Sequence, residues 1–398
     1  MGMFVDELCG SWMDHPFWNT RFLVETPTEI NQLVASPVRD LWIDTARGLD
    51  VQDAQSASEV AAQSEAVLQK MATEVESPVR KQSLEAEIAR AARICSRART
   101  AVMSMFQEAR MGNAVATEQL KPLVDEISAS VLRNPGALVS LARLKTVDDY
   151  TYLHSVAVCG LMIALARQLG LPESDMREIG MAGLVHDLGK ADIPDAILNK
   201  PGKLTDAEFE IIKNHPAAGH RMLLEGQGVG AVPLDVSLHH HEKMDGSGYP
   251  HHLAGDDISL YAKMGAVCDV YDAITSTRAY KAPWGPAESL RKMAEWSIGH
   301  FDRVVFQAFI KCVGIYPVGS LVRLESGLLG VVIDNPAENL LAPSVKVFFC
   351  TRRKERMHPK VIDLARANAK EKIKNWESPT NWPFPDIDEL WSGQAARR

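Results

Sequence analysis

From about residue 137 to residue 315, apolar residues recur at helical spacing, segment after segment. Gly and Pro break the segments apart, and no run of alternating strands interrupts them. A stretch of that length with one period excludes a sheet-based domain and calls for a mostly or wholly α-helical unit around its own core. Its longest apolar run, Val156 to Ala166, is too short to cross a bilayer, which takes roughly 20 residues. It reads instead as a buried core helix.

The flanks follow other periods. Met3-Phe4-Val5, Arg21-Phe22-Leu23-Val24 and Val38 to Ile43 read as short strands, and Thr28 to Ala35 as a helix. Residues 1–50 therefore form a small α/β module, with Trp12, Phe17, Trp18 and Trp42 as candidate core and either a capping or a ligand-sensing role. Residues 51–80 are rich in Ala, Gln, Ser and Glu and read as a flexible or weakly helical linker ending near Pro78. Residues 81–136 recover helical spacing through Leu84, Ile88, Ala91, Cys95, Val102 and Phe106, up to the break Asn134-Pro135-Gly136. Beyond 315 the spacing predicts strands over Ser320–Leu324, Leu328–Asp334 and Ser344–Phe349. The first two are joined by Glu325-Ser326-Gly327. A helical piece over about 362–375 and an extended tail with Pro379, Trp382, Pro383 and Pro385 complete a 316–398 extension. The expected fold class is mainly α: a helical core, a small α/β N-terminal module and a short β-rich C-terminal extension.

The net charge of −8 gives no global positive field, so a nucleic-acid polymer is not the expected ligand; a small anion needs only a local basic cluster. The run Arg352-Arg353-Lys354-Glu355-Arg356 reads as a solvated loop after a strand. The six cysteines are scattered without a Cys-x-x-Cys pair, which fits reduced thiols in a cytoplasmic protein and not a disulfide frame. The first residues lack the basic and apolar regions of a signal peptide.

The chemistry lies in the middle block. His240-His241-Glu242 runs into the tight loop Asp245-Gly246-Ser247-Gly248-Tyr249-Pro250, which places metal-binding side chains beside backbone that can approach a ligand closely. Upstream, His186-Asp187 closes an apolar segment, with Lys190 just behind. A buried His-Asp pair needs a counter-charge, and either a metal or Lys190 would serve. His154 points into the core of an apolar helix; alone it would be a hydrogen-bonded core histidine. His215 ends another segment, and Asp269 shares a helix face with Asp272. His154, His186, Asp187, His215, His240, His241 and Asp269 are all imidazole or carboxylate, a set that suits iron, manganese, zinc, cobalt or nickel. Seven ligands are too many for one ion and about right for two sharing a carboxylate. Such a pair stabilises the attacking and leaving oxygens of phosphoryl hydrolysis. Gly183 to Lys190 imitates a P-loop but has the wrong glycine spacing, and Ala191 stands where Ser or Thr is required.

Taken in order, His154, His186-Asp187-Leu188-Gly189-Lys190, His215-Pro216, His240-His241-Glu242, the Gly248-Tyr249-Pro250 loop and Asp269-Val270-Tyr271-Asp272-Ala273 resemble the HD-GYP family. These bacterial relatives of HD-domain phosphohydrolases hydrolyse cyclic di-GMP. The resemblance covers roughly 137–315, and the first fifty residues look like an uncharacterised module often found before such domains. It implies an HD-type catalytic domain with two divalent transition-metal ions, iron or manganese first. His154, His186, Asp187 and Asp269 would hold one ion and His215, His240 and His241 the other, with Asp187 bridging. Asp187 and Lys190 would be catalytic, with Lys190 on the scissile phosphate. Arg278 and Lys281 would hold substrate phosphates, and Gly248, Tyr249 and Pro250 would shape the substrate loop. Members with a third metal carry a glutamate one turn before the first histidine. Tyr150 stands there, with Asp148 and Asp149 out of phase, so two ions are expected. His239, His251 and His252 are expected not to ligate. The implied reaction opens cyclic di-GMP to linear pGpG and, after a second cut, GMP. GGDEF-containing proteins and a second copy of the chain are the implied partners. A cyclic di-GMP receptor without turnover, or a hydrolase for another cyclic dinucleotide or nucleotide, are the alternatives.

Overall fold

The computed structural model describes residues 1–9, 21–36, 38, 40–51, 54–73, 84–144, 150–200, 202, 204–276, 283–335, 339–366 and 371–393. The chain opens with a three-stranded antiparallel sheet, β1 (Phe4–Leu8), β2 (Phe22–Leu23) and β3 (Leu41–Ile43), in the order β2-β1-β3. Helix α1 (Pro27–Ala35) starts at a capping box: Thr26 accepts from the Glu29 amide, and Glu29 reaches back to the Thr26 amide. Val5, Leu8 and Val24 form the module's own small core. Trp42 is half-buried, and Trp12, Phe17 and Trp18 lie outside the described residues.

Residues 57–73, expected to be flexible or weakly helical, form α2 (Ala57–Thr73). Its Leu68 is buried, and it packs on α13 (Pro286–His300) and α14 (Arg303–Val313). Ala-rich sequence carries little apolar area, so the contact that orders this helix comes from its partners and leaves little trace in its own composition. A second tie joins the module to the core: the Lys292 ammonium of α13 donates to both carboxylate oxygens of Glu7 on β1, at 3.0 Å each. Helices α3 (Leu84–Arg110), α4 (Lys121–Arg133) and α5 (Pro135–Arg143) follow, α4 and α5 hinged at Asn134, whose side chain accepts from the Gly136 amide.

The centre of the molecule is α6 (Tyr150–Gln168), packed against α3, α4, α5, α7 (Met176–Val185), α12 (Leu260–Thr275) and α14. Every residue from His154 to Ala166 on it is buried. A helix covered on all sides must be apolar all round, which accounts for the long run Val156–Ala166. The remaining helices, α8 (Asp195–Leu198), α9 (Asp206–Lys213), α10 (His215–Leu224) and α11 (Ala231–His239), wrap one end of this bundle.

A five-stranded antiparallel sheet closes the fold, β4 (Leu321–Leu324), β5 (Leu328–Asp334), β6 (Ser344–Cys350), β7 (Glu355–Asp363) and β8 (Ile373–Glu377), ordered β7-β6-β5-β4-β8. Its inner face joins the helical core through Val318, Leu321, Val331 and Val345. Among the described residues, the helix expected over about 362–375 is not formed. Val361 and Ile362 pair with Lys346 and Val345, and Ile373 to Glu377 pairs along β4. Ladder bonds on both sides, ending at Asp363 and resuming at Ile373, outweigh a local helical preference there. The tail is not wholly extended either: it ends in a one-turn helix, α15 (Ile387–Ser392), with Trp391 buried.

Candidate metal centre

Five helices bring the seven sequence-nominated ligands to one buried place. His154 comes from the second turn of α6. His186 is the residue on which α7 ends, and Asp187 opens the next turn. His215 is the first residue of α10, His240 and His241 follow the last turn of α11, and Asp269 lies on α12. The turn after Asp187 lies directly on α10. A Cβ on Gly189 would stand 1.9 Å from the His215 carbonyl oxygen, so only glycine lets the two ligand-bearing segments meet.

Each anchored ring is held by its outer nitrogen. Nδ1 of His186 donates to the Gly183 carbonyl (2.9 Å), that of His215 to Ile212 (2.8 Å) and that of His240 to Val236 (2.9 Å). Nδ1 of His154 donates to the Asp272 carboxylate at 2.6 Å. A carbonyl or carboxylate can only accept, so these bonds leave the Nε2 lone pairs facing the centre, the arrangement that fixes the tautomer of metal-ligating histidines.

The inner atoms fall into two groups, His154, His186 and Asp269 in one, Asp187, His215, His240 and His241 in the other, each with donor atoms within 4.8 Å of one another. Asp187 stands between them. Its Oδ2 is 3.4 Å from Nε2 of both His154 and His186, and its Oδ1 is 3.3 Å from His215 Nε2 and 3.8 Å from His240 Nε2. Asp269 Oδ1 lies 3.0 Å from His154 Nε2, and its other oxygen 3.9 Å from His241 Nδ1.

These residues fit divalent cations on their own chemistry. His186 Nε2 and Asp187 Oδ1 are buried and have no hydrogen-bond partner, an expensive state for polar atoms that nothing compensates. Nε2 of His215 and of His240 face each other at 3.3 Å although both outer nitrogens already carry the proton. Two lone pairs at that distance call for a cation. The field points the same way. Burial alone would raise Asp187, but the charges of Lys190 and His186 hold its carboxyl well below the usual range. Burial opposes charge on His186, yet Asp187 and Asp269 lift it to about 10, while burial and the neighbouring histidines push His240 down to about 3. The carboxylate side of the pocket thus draws positive charge, and the far side presents neutral imidazole. No thiolate takes part, which suits iron, manganese or zinc and not a sulfur-ligated site.

At the mouth, the Lys190 ammonium donates to Asp187 Oδ2 at 2.5 Å and stays partly exposed. The loop after His241 folds back over the centre. A Cβ on Gly248 would lie 2.4 Å from the Lys243 amide, and the Tyr249 amide donates to the His241 carbonyl at 3.2 Å. The Tyr249 ring then stacks on the His241 ring, centroids 4.8 Å apart. Glu242 is buried but is not turned to the donor groups: it accepts from the His251 and Leu253 amides at 2.7 and 3.1 Å and pins the loop. His239 bonds Asp235 and His251, and His251 and His252 are exposed. Arg278 and Lys281 lie outside the described residues, as do Asp148, Asp149 and the Tyr150 side chain. Asp272 is the functional residue that sequence reasoning left without a role. Its place on the Asp269 face was the signal, since the second carboxylate of such a pair reaches the ring that the first one meets.

Residues 1–120 match a family model described as a domain of unknown function (DUF3391), and residues 132–305 one described as HD domain. The chain is 56% identical over 396 residues to the cyclic di-GMP phosphodiesterase PA4108 of Pseudomonas aeruginosa, covering 99% of this chain and 94% of that protein. The cyclic di-GMP phosphodiesterase response regulator RpfG of Xanthomonas campestris pv. campestris is 48% identical over 131 residues, 32% of this chain and 33% of its own. The 3'3'-cGAMP-specific phosphodiesterase 2 of Vibrio cholerae is 40% identical over 139 residues, 35% of this chain and 27% of its own. Among the described residues, no helix is long and apolar enough to cross a membrane.

Proposed function

We infer the activity from membership: the chain belongs to the HD-GYP family of HD-domain phosphodiesterases, and it hydrolyses cyclic di-GMP. The finer statements are our proposal. The centre holds two divalent ions, iron or manganese, and the first product is linear pGpG. The catalytic unit spans 137–315, and the enzyme acts in the cytoplasm as a homodimer that receives its substrate from GGDEF-containing proteins.

One observation carries the two-ion assignment: the oxygens of a single carboxylate, Asp187, face two separate groups of imidazole donors at 3.3–3.8 Å. His154, His186, Asp187 and Asp269 would hold one ion, and His215, His240, His241 and Asp187 the other. When bound, such a pair supplies Lewis-acid polarisation of a phosphoryl oxygen and lowers the pKa of water. The chain's own groups do the rest. The carbonyl-bonded imidazoles and the Asp272–His154 contact hold the donor atoms rigid. Lys190 presents a positive charge at the mouth, beside Asp187, where a phosphate oxygen gains charge in the transition state. Tyr249, stacked on His241, forms the wall against which a guanine base or ribose rests. Water oxygen bonds to phosphorus as the P–O3′ bond breaks, and the proton that the water gives up ends on the departing 3′ oxygen, leaving a 5′ phosphate and a 3′ hydroxyl. Arg278 and Lys281 are proposed to hold the other phosphate.

The test is a turnover assay on metal-replete protein across a substrate panel: cyclic di-GMP, 3'3'-cGAMP and pGpG. Rapid conversion of cyclic di-GMP with accumulation of pGpG is expected. Tight binding without product would instead make the chain a receptor, and preference for 3'3'-cGAMP would move it beside the Vibrio cholerae relatives so named.

A further inference from the structure

A cavity of about 30 Å³ lies against Asp272, the carboxylate that holds His154. Arg143 at the end of α5 and Asn335 just past β5 also line it. Asn335 stands beyond residues 132–305, the stretch that matches the HD domain. Arg143 is 9% exposed, and its Nη1 donates to the Val318 carbonyl at 3.2 Å. The chain presses on this guanidinium at Gly319, φ +88°, where a Cβ would stand 2.3 Å from Nη2. A guanidinium has five N–H groups, so donors remain for the cavity. Asn335 is 1% exposed, and its Nδ2 donates to the Val313 carbonyl at 3.3 Å. Only the nitrogen of that amide can face a carbonyl, which fixes the other atom as the oxygen. This Oδ1 is buried and, among the described residues, has no hydrogen-bond partner, an expensive state for an amide.

We propose that the cavity is a binding site for a pair of water molecules that join Asn335 Oδ1 and the Arg143 guanidinium to the Asp272 carboxylate, which makes Asn335 a positioning residue for the metal centre. The lining selects the ligand. An anion would meet the Asp272 carboxylate and the Asn335 oxygen, and a cation would meet Arg143. Two acceptors and a donor around one space call for a small neutral molecule that both donates and accepts. A water needs about 10–15 Å³ of such space and two to four polar partners, so 30 Å³ takes about two. Asp272 can join them. Its Oδ2 accepts from His154 Nδ1 at 2.6 Å and its Oδ1 from the Ser276 hydroxyl at 3.4 Å, while a carboxylate offers about four lone-pair sites. The waters tie the first residue past β5 to the ring of His154. The C-terminal sheet thereby steadies the ion held by His154, His186, Asp187 and Asp269 and leaves the other to its own anchors, an assignment that rests on the two-ion reading above.

The experiment begins with a crystal structure of the full-length, metal-loaded chain at a resolution that shows ordered water. Two waters are expected in the cavity, one of them within hydrogen-bond distance of Asn335 Oδ1; a dry cavity overturns the site. Asn335→Leu nearly keeps the side chain's volume and removes the acceptor. It should lose the water at that end and weaken manganese binding on the His154 side alone, by less than the roughly 10–100-fold that loss of a direct outer partner costs. The ion on the His215 side, and the KM for cyclic di-GMP at saturating metal, should stay as in the wild type. Val139→Ile leaves Asn335 in place and adds a methylene to another wall of the cavity; by displacing water it should produce the same one-sided weakening. Manganese titrations followed by electron paramagnetic resonance read the two ions separately. Wild-type affinity for both ions in both variants overturns the positioning role. A wild-type chain that binds a single ion counts against the two-ion reading, while the crystal structure alone decides the water site.

Discussion

The end of α11 carries two kinds of histidine one residue apart. His240 is buried, anchored by a carbonyl and aimed at Asp187; His239 is at the surface, anchored by a carboxylate and aimed at His251. A helix turns by 100° per residue, so adjacent positions face different surroundings, and the surroundings decide what a histidine does. Inside, burial strips the His240 imidazole of charge and the backbone sets its tautomer; at the rim, a carboxylate and a second imidazole take up both ring nitrogens of His239.

The contrast is broken or sharpened by graded substitutions. Asp187→Asn leaves the shape but removes the charge both donor groups share. Hydrolysis should fall by more than the roughly 10–100-fold that loss of an outer partner costs, together with metal content; near-normal turnover with both metals present would sink the bridging role. Asp272→Asn weakens the hold on His154 Nδ1, and should lower activity or metal affinity by about 10–100-fold, with metal added in excess restoring part of it. Chelation tests the centre as a whole. Metal at a hundred times its Kd should add about 2.7 kcal/mol of stability, seen as a higher melting temperature than the chelated protein, and coincident melting curves would speak against any resident ion. Gly248→Ala forces a Cβ against the Lys243 amide and should cost about 1–3 kcal/mol, with a raised KM because Tyr249 shifts. At the bottom of the scale, His251→Ala should change stability by no more than about 0.5 kcal/mol, as for an ordinary surface site.

That the seven imidazoles and carboxylates gather at one place was legible because metal chemistry restricts residue type. Asp272 was half legible: helical spacing put it beside Asp269, but that it reaches His154, 118 positions away, depends on how α12 lies on α6. The same limit governs the fold. Val156–Ala166 announced a buried helix because burial on all sides demands an apolar surface. Residues 57–73 and the two ends of 362–375 were harder to read, since partners elsewhere decide them: α13 and α14 order α2, while β6 and β4 draw Ile362–Asp363 and Ile373–Asn375 into strands. Segments whose own side chains meet the core are readable; segments recruited by neighbours are not.

The helix α6 carries His154 at the start of a thirteen-residue stretch, His154 to Ala166, with no exposed position. Such a segment cannot open by itself, because freeing any turn of it exposes the packing of six other helices. Its amides should therefore exchange only through global unfolding, and the His154 arm of the centre is lost and regained in one cooperative step with the whole domain. The loop bearing Tyr249 is tied at the rim by Glu242 and can part from the centre without disturbing α6. An opening at the rim therefore leaves the floor of the centre in place.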